Sequence, residues 1–342
     1  MTGAVERGAL MGEEIATIPD IVAAQLCEHL AAYLALGQGW RKDPPLFFAT
    51  CARGTSDQAA LFFKYLTEIG TGIPVVSLGP SLGTLFRAPL RLKGSVTLAI
   101  SQSGASPDLV GLIESAKAGG SATVALVNTL PSPLAEASGQ ALPLGAGPER
   151  AVAATKSFVA SLVAVSTLCA GQTGDQRLLT SLHDLPKVLR LCRASPGQSL
   201  DAFARADHVF CLGRGLGLAV AGEAALKLKE TCLIAAEGLS ATEFRHGPIV
   251  LAKPGTAALI FLTDDETRLG SEDLAQTLKD RGATVMTFGT GAADLQMPTT
   301  GHPVTDMIAA ITFFYDLAWR LSVAKGLNPD TPPHLSKATL TV

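Results

Sequence analysis

Charge is scarce in this chain. Only 17% of its 342 residues are Asp, Glu, Lys or Arg, the net charge is −3, and no block of like charges occurs. Without a basic stripe, nucleic acid and acidic membrane are poor partners. So few charges beside an apolar fraction of 47% also imply more hidden surface than one subunit can hide, so a homo-oligomer is expected. Long apolar runs are missing too. The longest, Phe158 to Ala170, is broken by Ser161, Ser166 and Thr167 and is too short to cross a bilayer, so a buried central helix is expected there. The N-terminus carries Glu6, Glu13 and Glu14 in place of a basic-then-apolar leader, which predicts a cytoplasmic protein. Six scattered cysteines (Cys27, Cys51, Cys169, Cys192, Cys211, Cys232) form no Cys-x-x-Cys pair, so small buried thiols are expected rather than a metal site or disulfides. Gly213, Gly215 and Gly217 fail the G-x-G-x-x-G spacing because residue 218 is Leu. A Walker lysine loop, a G-x-S-x-G elbow and zinc-type His/Cys spacing are likewise missing.

What is present begins with Ser101-Gln102-Ser103-Gly104-Ala105-Ser106. The stretch follows the strand-like run Val96 to Ile100 and precedes Pro107, where a helical pattern starts. Ser106 reads as an N-cap and Pro107 as the first helical residue, so hydroxyls and free N–H groups converge at a helix N-terminus. That end suits a phosphate dianion. With no Lys or Arg in the loop, a small phosphate ester fits better than a polyanion. Alone, such a turn reads equally well as a helix cap.

The chain also repeats itself faintly. In the first copy, a strand at Leu46–Cys51 leads through Arg53-Gly54-Thr55-Ser56 into a helix over Asp57–Ile69. Strands at Pro74–Leu78 and Val96–Ile100, a helix over Pro107–Ala118 and a strand at Ala122–Val127 follow. In the second copy, a strand at His208–Leu212 leads through Gly213-Arg214-Gly215 into a helix over Leu218–Cys232. Next come a strand at Ala257–Leu262, the turn Thr263-Asp264-Asp265, a helix near Asp273–Arg281 and a strand at Thr284–Phe288. Arg53 and Arg214 lie 161 positions apart and Ser101 and Thr263 162, so two landmarks share nearly one offset. Alternating strands and helices predict an α/β protein of two tandem three-layer αβα domains with mostly parallel sheets. The expected division is a helical segment at 1–40, a first domain at 41–175, a linker helix at 176–200, a second domain at 201–325 and a tail at 326–342. Further helices are expected near Asp20–Leu36, Arg150–Ala170, Leu178–Arg193 and Thr305–Ala324.

Ligands of parallel α/β sheets bind at the carboxyl ends of strands, where Thr55, Ser56 and the serine loop fall. In the second copy Thr263, Asp264, Asp265 and Thr267 replace the serines, and two carboxylates would repel a phosphate, so only the first copy should hold one. The second copy offers Glu223, Lys227 and Glu230 on one face of an Ala/Leu-rich helix. This is either ordinary surface pairing or a charged stripe on a buried helix that needs a ligand. His246, in Thr242-Glu243-Phe244-Arg245-His246-Gly247-Pro248, and Lys337, in the tail, carry little weight alone.

In this order, these motifs resemble the sugar isomerase (SIS) family and, more narrowly, the isomerase half of the glutamine–fructose-6-phosphate aminotransferases. The likeness runs from Met11–Pro19 through Gly54-Thr55-Ser56, Ser101–Gly104, Val152–Lys156, Leu212–Gly215, Glu223–Glu230 and Glu243–Leu251 to Leu335-Ser336-Lys337. The resemblance implies that Ser56, Ser101, Gln102, Ser103 and Ser106 hold a sugar phosphate, with Val152 and Ser336 lining the sugar. It also implies that Glu230 transfers the proton, His246 opens the ring, Lys337 is the Schiff-base lysine and Lys227 assists. His246 is then expected to reach the site of the neighbouring subunit of a homodimer. The chemistry calls for no metal and no cofactor. The amidotransferase domain and catalytic cysteine of glutamine-using members do not occur in this sequence, so breaking a C–N bond is expected rather than forming one. The implied reaction converts glucosamine 6-phosphate and water to fructose 6-phosphate and ammonia. The alternatives are a fructosamine-6-phosphate deglycase, an ammonia-dependent fructose-6-phosphate aminotransferase and a non-enzymatic phosphosugar sensor.

Overall fold

A computed structural model describes residues 7–195, 197–206 and 208–337. Two five-stranded sheets organise them, and every strand pairing is parallel. The first comprises β1 (Phe48–Cys51), β2 (Val75–Ser77), β3 (Val96–Ser101), β4 (Ala122–Val127) and β5 (Gln140–Pro143), in the order β2-β1-β3-β4-β5. The second comprises β6 (His208–Gly213), β7 (Ala236–Ser240), β8 (Thr256–Phe261), β9 (Thr284–Gly289) and β10 (Leu295–Gln296). From its β7 edge the order is β7-β6-β8-β9-β10, the same winding again. The duplication read from the sequence is therefore structural.

Helices fill the connections: α1 (Ala9–Lys42), α2 (Thr55–Thr71), α3 (Ser81–Thr84), α4 (Pro107–Ala118), α5 (Pro133–Ala137), α6 (Lys156–Thr173) and α7 (Gln176–Leu189). The second half adds α8 (Leu216–Cys232), α9 (Ala241–Arg245), α10 (Arg268–Asp280) and α11 (Pro303–Ala324). Strands β1, β3 and β8 are buried along their whole length, as expected for parallel sheets covered on both faces. The residues separate into two compact units. One holds residues 7–20, Arg150–Lys156 and Ser181–Lys337; the other holds Ile21–Glu149 and Ser157–Thr180. Leu109, Leu112 and Ile113 of α4 pack on Cys51, Ala99 and Ala125 in the core of the β1–β5 unit. Phe210, Phe244, Ile260 and Leu274 anchor that of the β6–β10 unit.

The two copies share one local device. Gly54, before α2, has φ 53° and ψ −127°, and Gly215, before α8, has φ 57° and ψ −126°. Side chains rarely adopt that conformation, so glycine turns the chain sharply from strand into helix at both places.

Several boundaries differ from expectation. Helix α1 starts at Ala9 and passes through Pro19, because Met11, Ile15, Ile18 and Val22 present a continuous buried face whose packing outweighs the missing hydrogen bond. Helix α6 starts at Lys156, not Arg150, because the 150–152 backbone is held by other partners, described below. Helix α7 starts after Asp175, whose Oδ1 accepts the N–H groups of Arg177 and Leu178. Helix α10 begins a full turn earlier than expected, at Arg268, behind Asp265, which accepts from the Thr267 N–H. Phe158 to Ala170 lies in α6 and is buried throughout, as expected. Among the described residues, α11 alone is long and apolar enough to cross a membrane. Since 78% of its most apolar window is buried, it is a core helix of its unit.

Candidate active site

The order of each sheet reverses between its first and third strands, and the carboxyl ends there define the ligand crevice of such folds. In the first sheet these ends carry the Gly54 turn after β1 and the serine loop after β3. Ser101 is buried, and its Oγ accepts the Gly104 N–H at 3.0 Å, closing the loop on itself. Ser103 Oγ accepts the Ala105 N–H at 3.3 Å. Ser106 occupies the cap position of α4, but its hydroxyl makes no capping bond, so the α4 N-terminus is not closed by its own side chain. Gln102 and Ser103 are half-buried, as are Thr55 and Ser56 at the start of α2. The loop after β4 supports the serine loop. Asn128 N–H donates to Ser101 O, Thr129 N–H to Gln102 O and Leu134 N–H to Gly104 O.

One feature of this anchor was not legible in the sequence. Asp108, in the first turn of α4, is buried, and its Oδ2 accepts from Arg53 Nε at 2.8 Å and from Arg53 Nη2. The arginine beside the anchor is thus tied to a carboxylate, and the loop's own neutral donors remain to face an anion. Burial, then the Asp108 charge, pushes the adjacent Cys51 thiol up to about 12. The second sheet's equivalent loop is internally satisfied. Asp265 Oδ1 accepts both the N–H and the hydroxyl of Thr267, and Asp264 pairs with Arg268 at 3.8 Å. The second loop therefore already holds carboxylates where a phosphate would need donors.

In the other unit, α8 carries the charged stripe. Leu233 ends the helix in the left-handed region (φ 51°), with its N–H on Leu228 O. Glu223 and Lys227 are fully buried and Glu230 is 22% exposed. Lys227 Nζ lies 3.5 Å from Glu223 Oε1 and donates to Glu230 Oε2. Of the two readings of this face, ordinary surface pairing is ruled out by that burial. Tyr315 of α11, absent from the sequence reading, donates its hydroxyl to Glu223 Oε1 at 2.9 Å. A buried carboxylate is tolerated only when paired in this way.

Lys337 and Val152 are brought together by a second set of contacts in the same unit. Lys337 Nζ donates to Ala151 O at 2.7 Å, and Val152 N–H donates to Asp330 O at 3.1 Å. The Asp330 carboxylate in turn accepts the Leu10 and Met11 N–H groups at 3.2 and 2.8 Å, capping α1. Arg150 N–H donates to Glu14 of the same helix. These bonds keep 150–152 out of α6 and tie Asp330 and Lys337 to that segment. Ser336 is exposed beside Lys337. His246, just past α9, is exposed, and no hydrogen bond or ion pair joins it to Glu230 among the described residues. The residues thus fall into a serine-loop anchor, a Glu–Lys–Glu stripe, a tail lysine held on 151 and an outward-facing histidine.

A duplicated, doubly wound α/β chain with one hydroxyl-lined loop at a strand end and a buried carboxylate–lysine stripe defines the class. The profile of the SIS domain matches residues 48–170 and 202–294, and the chain belongs to that family. The glutamine–fructose-6-phosphate aminotransferase (isomerizing) of Aeropyrum pernix is 32% identical to it over 363 residues, covering 95% of this chain. That of Leifsonia xyli is 30% identical over 376 residues, covering 98%. The chain spans 57% and 60% of the lengths of these two relatives. A solved structure of a candidate phosphosugar isomerase from Silicibacter pomeroyi DSS-3 is 36% identical, covers 94% of this chain and 99% of that one, and superposes with a TM-score of 0.84. The glucosamine-6-phosphate deaminase of Thermotoga maritima shares the fold at 20% identity and a TM-score of 0.80, over 97% of this chain and 100% of that one.

Proposed function

We propose that the chain is a glucosamine-6-phosphate deaminase that acts as a cytoplasmic homodimer. The observation that carries the reading is the α8 stripe, in which buried Lys227 holds Glu230 so that one carboxylate remains partly exposed as a base. The serine loop binds the phosphate through Ser101, Gln102, Ser103, Ser106, Thr55 and Ser56, remote from the reacting carbons, and its binding energy is used for orientation. His246 carries the proton that opens the pyranose ring. Glu230 removes the proton from C2 of the open-chain aldehyde, giving an enolamine, and returns a proton to C1. The product is an imine at C2 beside a C1 hydroxymethyl group. Water adds to that imine carbon and ammonia leaves, giving fructose 6-phosphate. Val152 and Ser336 line the sugar, and Lys337 assists ring opening through its ammonium.

The dimer reading is supported by exposed His246 and the exposed apolar pair Val250 and Leu251 that follows it, a surface suited to cover by a second copy. The test incubates the purified chain separately with glucosamine 6-phosphate and with a fructosamine 6-phosphate carrying an amino acid. Stoichiometric ammonia and fructose 6-phosphate from the first supports the reading. Release of the amino acid from the second, with no ammonia from the first, refutes it in favour of a deglycase.

A further inference from the structure

We infer that Tyr315 is a positioning residue for the proton-transfer step, setting the place of the Glu230 carboxylate through Glu223 and Lys227. The inference rests on the reading of Glu230 as the base. Tyr315 is fully buried in α11, in a stretch of the helix whose other residues Ile311, Phe313, Phe314, Leu317 and Ala318 are apolar and buried too. A phenol in such surroundings needs a polar partner for its hydroxyl. It finds one 92 positions earlier in the sequence, donating to Glu223 Oε1 at 2.9 Å.

That oxygen is the one Lys227 faces. The ammonium stands 3.5 Å from it, farther than the roughly 2.7–2.9 Å of a good charged hydrogen bond. The same ammonium donates to Glu230 Oε2 at closer range. The phenol therefore occupies coordination at Glu223 that the ammonium would otherwise take, and leaves the ammonium directed at Glu230. Without the hydroxyl, Lys227 settles onto Glu223, and Glu230 loses the donor that fixes its rotamer. Asp316 of α11 accepts from Arg320 and from the Ala194 N–H, and Glu237 of β7 faces His208 at 3.7 Å.

The test compares wild type, Tyr315→Phe, Glu223→Gln and the double variant, with glucosamine 6-phosphate carrying hydrogen or deuterium at C2. Tyr315→Phe is expected to lower kcat on the order of ten- to a hundredfold with KM within about twofold, since a misplaced base costs rate and not binding. The deuterium effect on kcat rises because proton transfer becomes the slow step. The double variant is no slower than the slower single one, because both act through Lys227. If Tyr315→Phe does not fold, the double variant decides: with no carboxylate left to draw Lys227 from Glu230, its isotope effect is expected to equal that of Glu223→Gln alone, and a larger one overturns the inference. Unchanged kcat, or a loss with an unchanged isotope effect, overturns the inference alone. A wild-type chain that releases no ammonia overturns the proposed function and this inference with it.

Discussion

Replacing Lys227 with Met keeps most of the side-chain volume and deletes the charge. In the variant the fully buried Glu223 carboxylate keeps the Tyr315 hydroxyl but loses the cation. Removing one partner of a buried ion pair costs about 3–5 kcal/mol, because the remaining charge loses its counter-charge. The retained phenol donor places the expected loss near the lower end, about 3 kcal/mol. Adding Glu223→Gln should recover most of it, since the amide still accepts from Tyr315 and no buried charge is left. Urea unfolding followed by fluorescence reads this directly. The chain has two tryptophans, and Trp319 lies on α11, in the unit that holds α8. A Trp40→Phe background isolates its signal. A loss below about 1 kcal/mol, or one that Glu223→Gln does not recover, would refute the claim that Lys227 neutralises a buried carboxylate.

Ser101→Ala and Ser103→Ala should each weaken binding of inorganic phosphate about tenfold, corresponding to one hydrogen bond to a charged group, as measured by calorimetry. Gly238→Ala should destabilise the β6–β10 unit by about 1–3 kcal/mol in the same unfolding assay, because its Cβ would lie 2.6 Å from Gly222 Cα, where β7 meets α8. Iodoacetamide at about pH 8 should modify Cys27 alone in the native chain, as intact mass will show, because the other five thiols are buried and pushed up by burial. Mixing inactive Glu230→Gln and His246→Ala chains should restore ammonia release if a second copy supplies the histidine; no recovery after subunit exchange counts against that arrangement.

The fold was legible where punctuation was strong. Pro107 at the first helical position and the Gly119-Gly120 pair bound α4, and both α4 and β4 have the bounds read from the sequence. Strands β5, β7 and β10 were missed. They are short or partly exposed outer strands, Gln140–Pro143, Ala236–Ser240 and Leu295–Gln296, and none carries the apolar run that marks β3 or β8. Within the site, the Glu223–Lys227–Glu230 spacing was visible because it is local to one helix. Tyr315, Asp108 and Asp330 were not. Each acts on a partner distant in sequence, Tyr315 on Glu223, Asp108 on Arg53 and Asp330 on Met11, and no local pattern announces such pairs.

The proposed reaction turns on a carboxylate at Glu230 moving a proton on a sugar phosphate. Ammonia release from glucosamine 6-phosphate by wild type and Glu230→Gln, with affinity for the same compound measured by calorimetry, tests it most directly. Loss of turnover on the order of 10²–10⁴-fold with affinity largely retained is the predicted result. Turnover by the variant at the wild-type rate would contradict it.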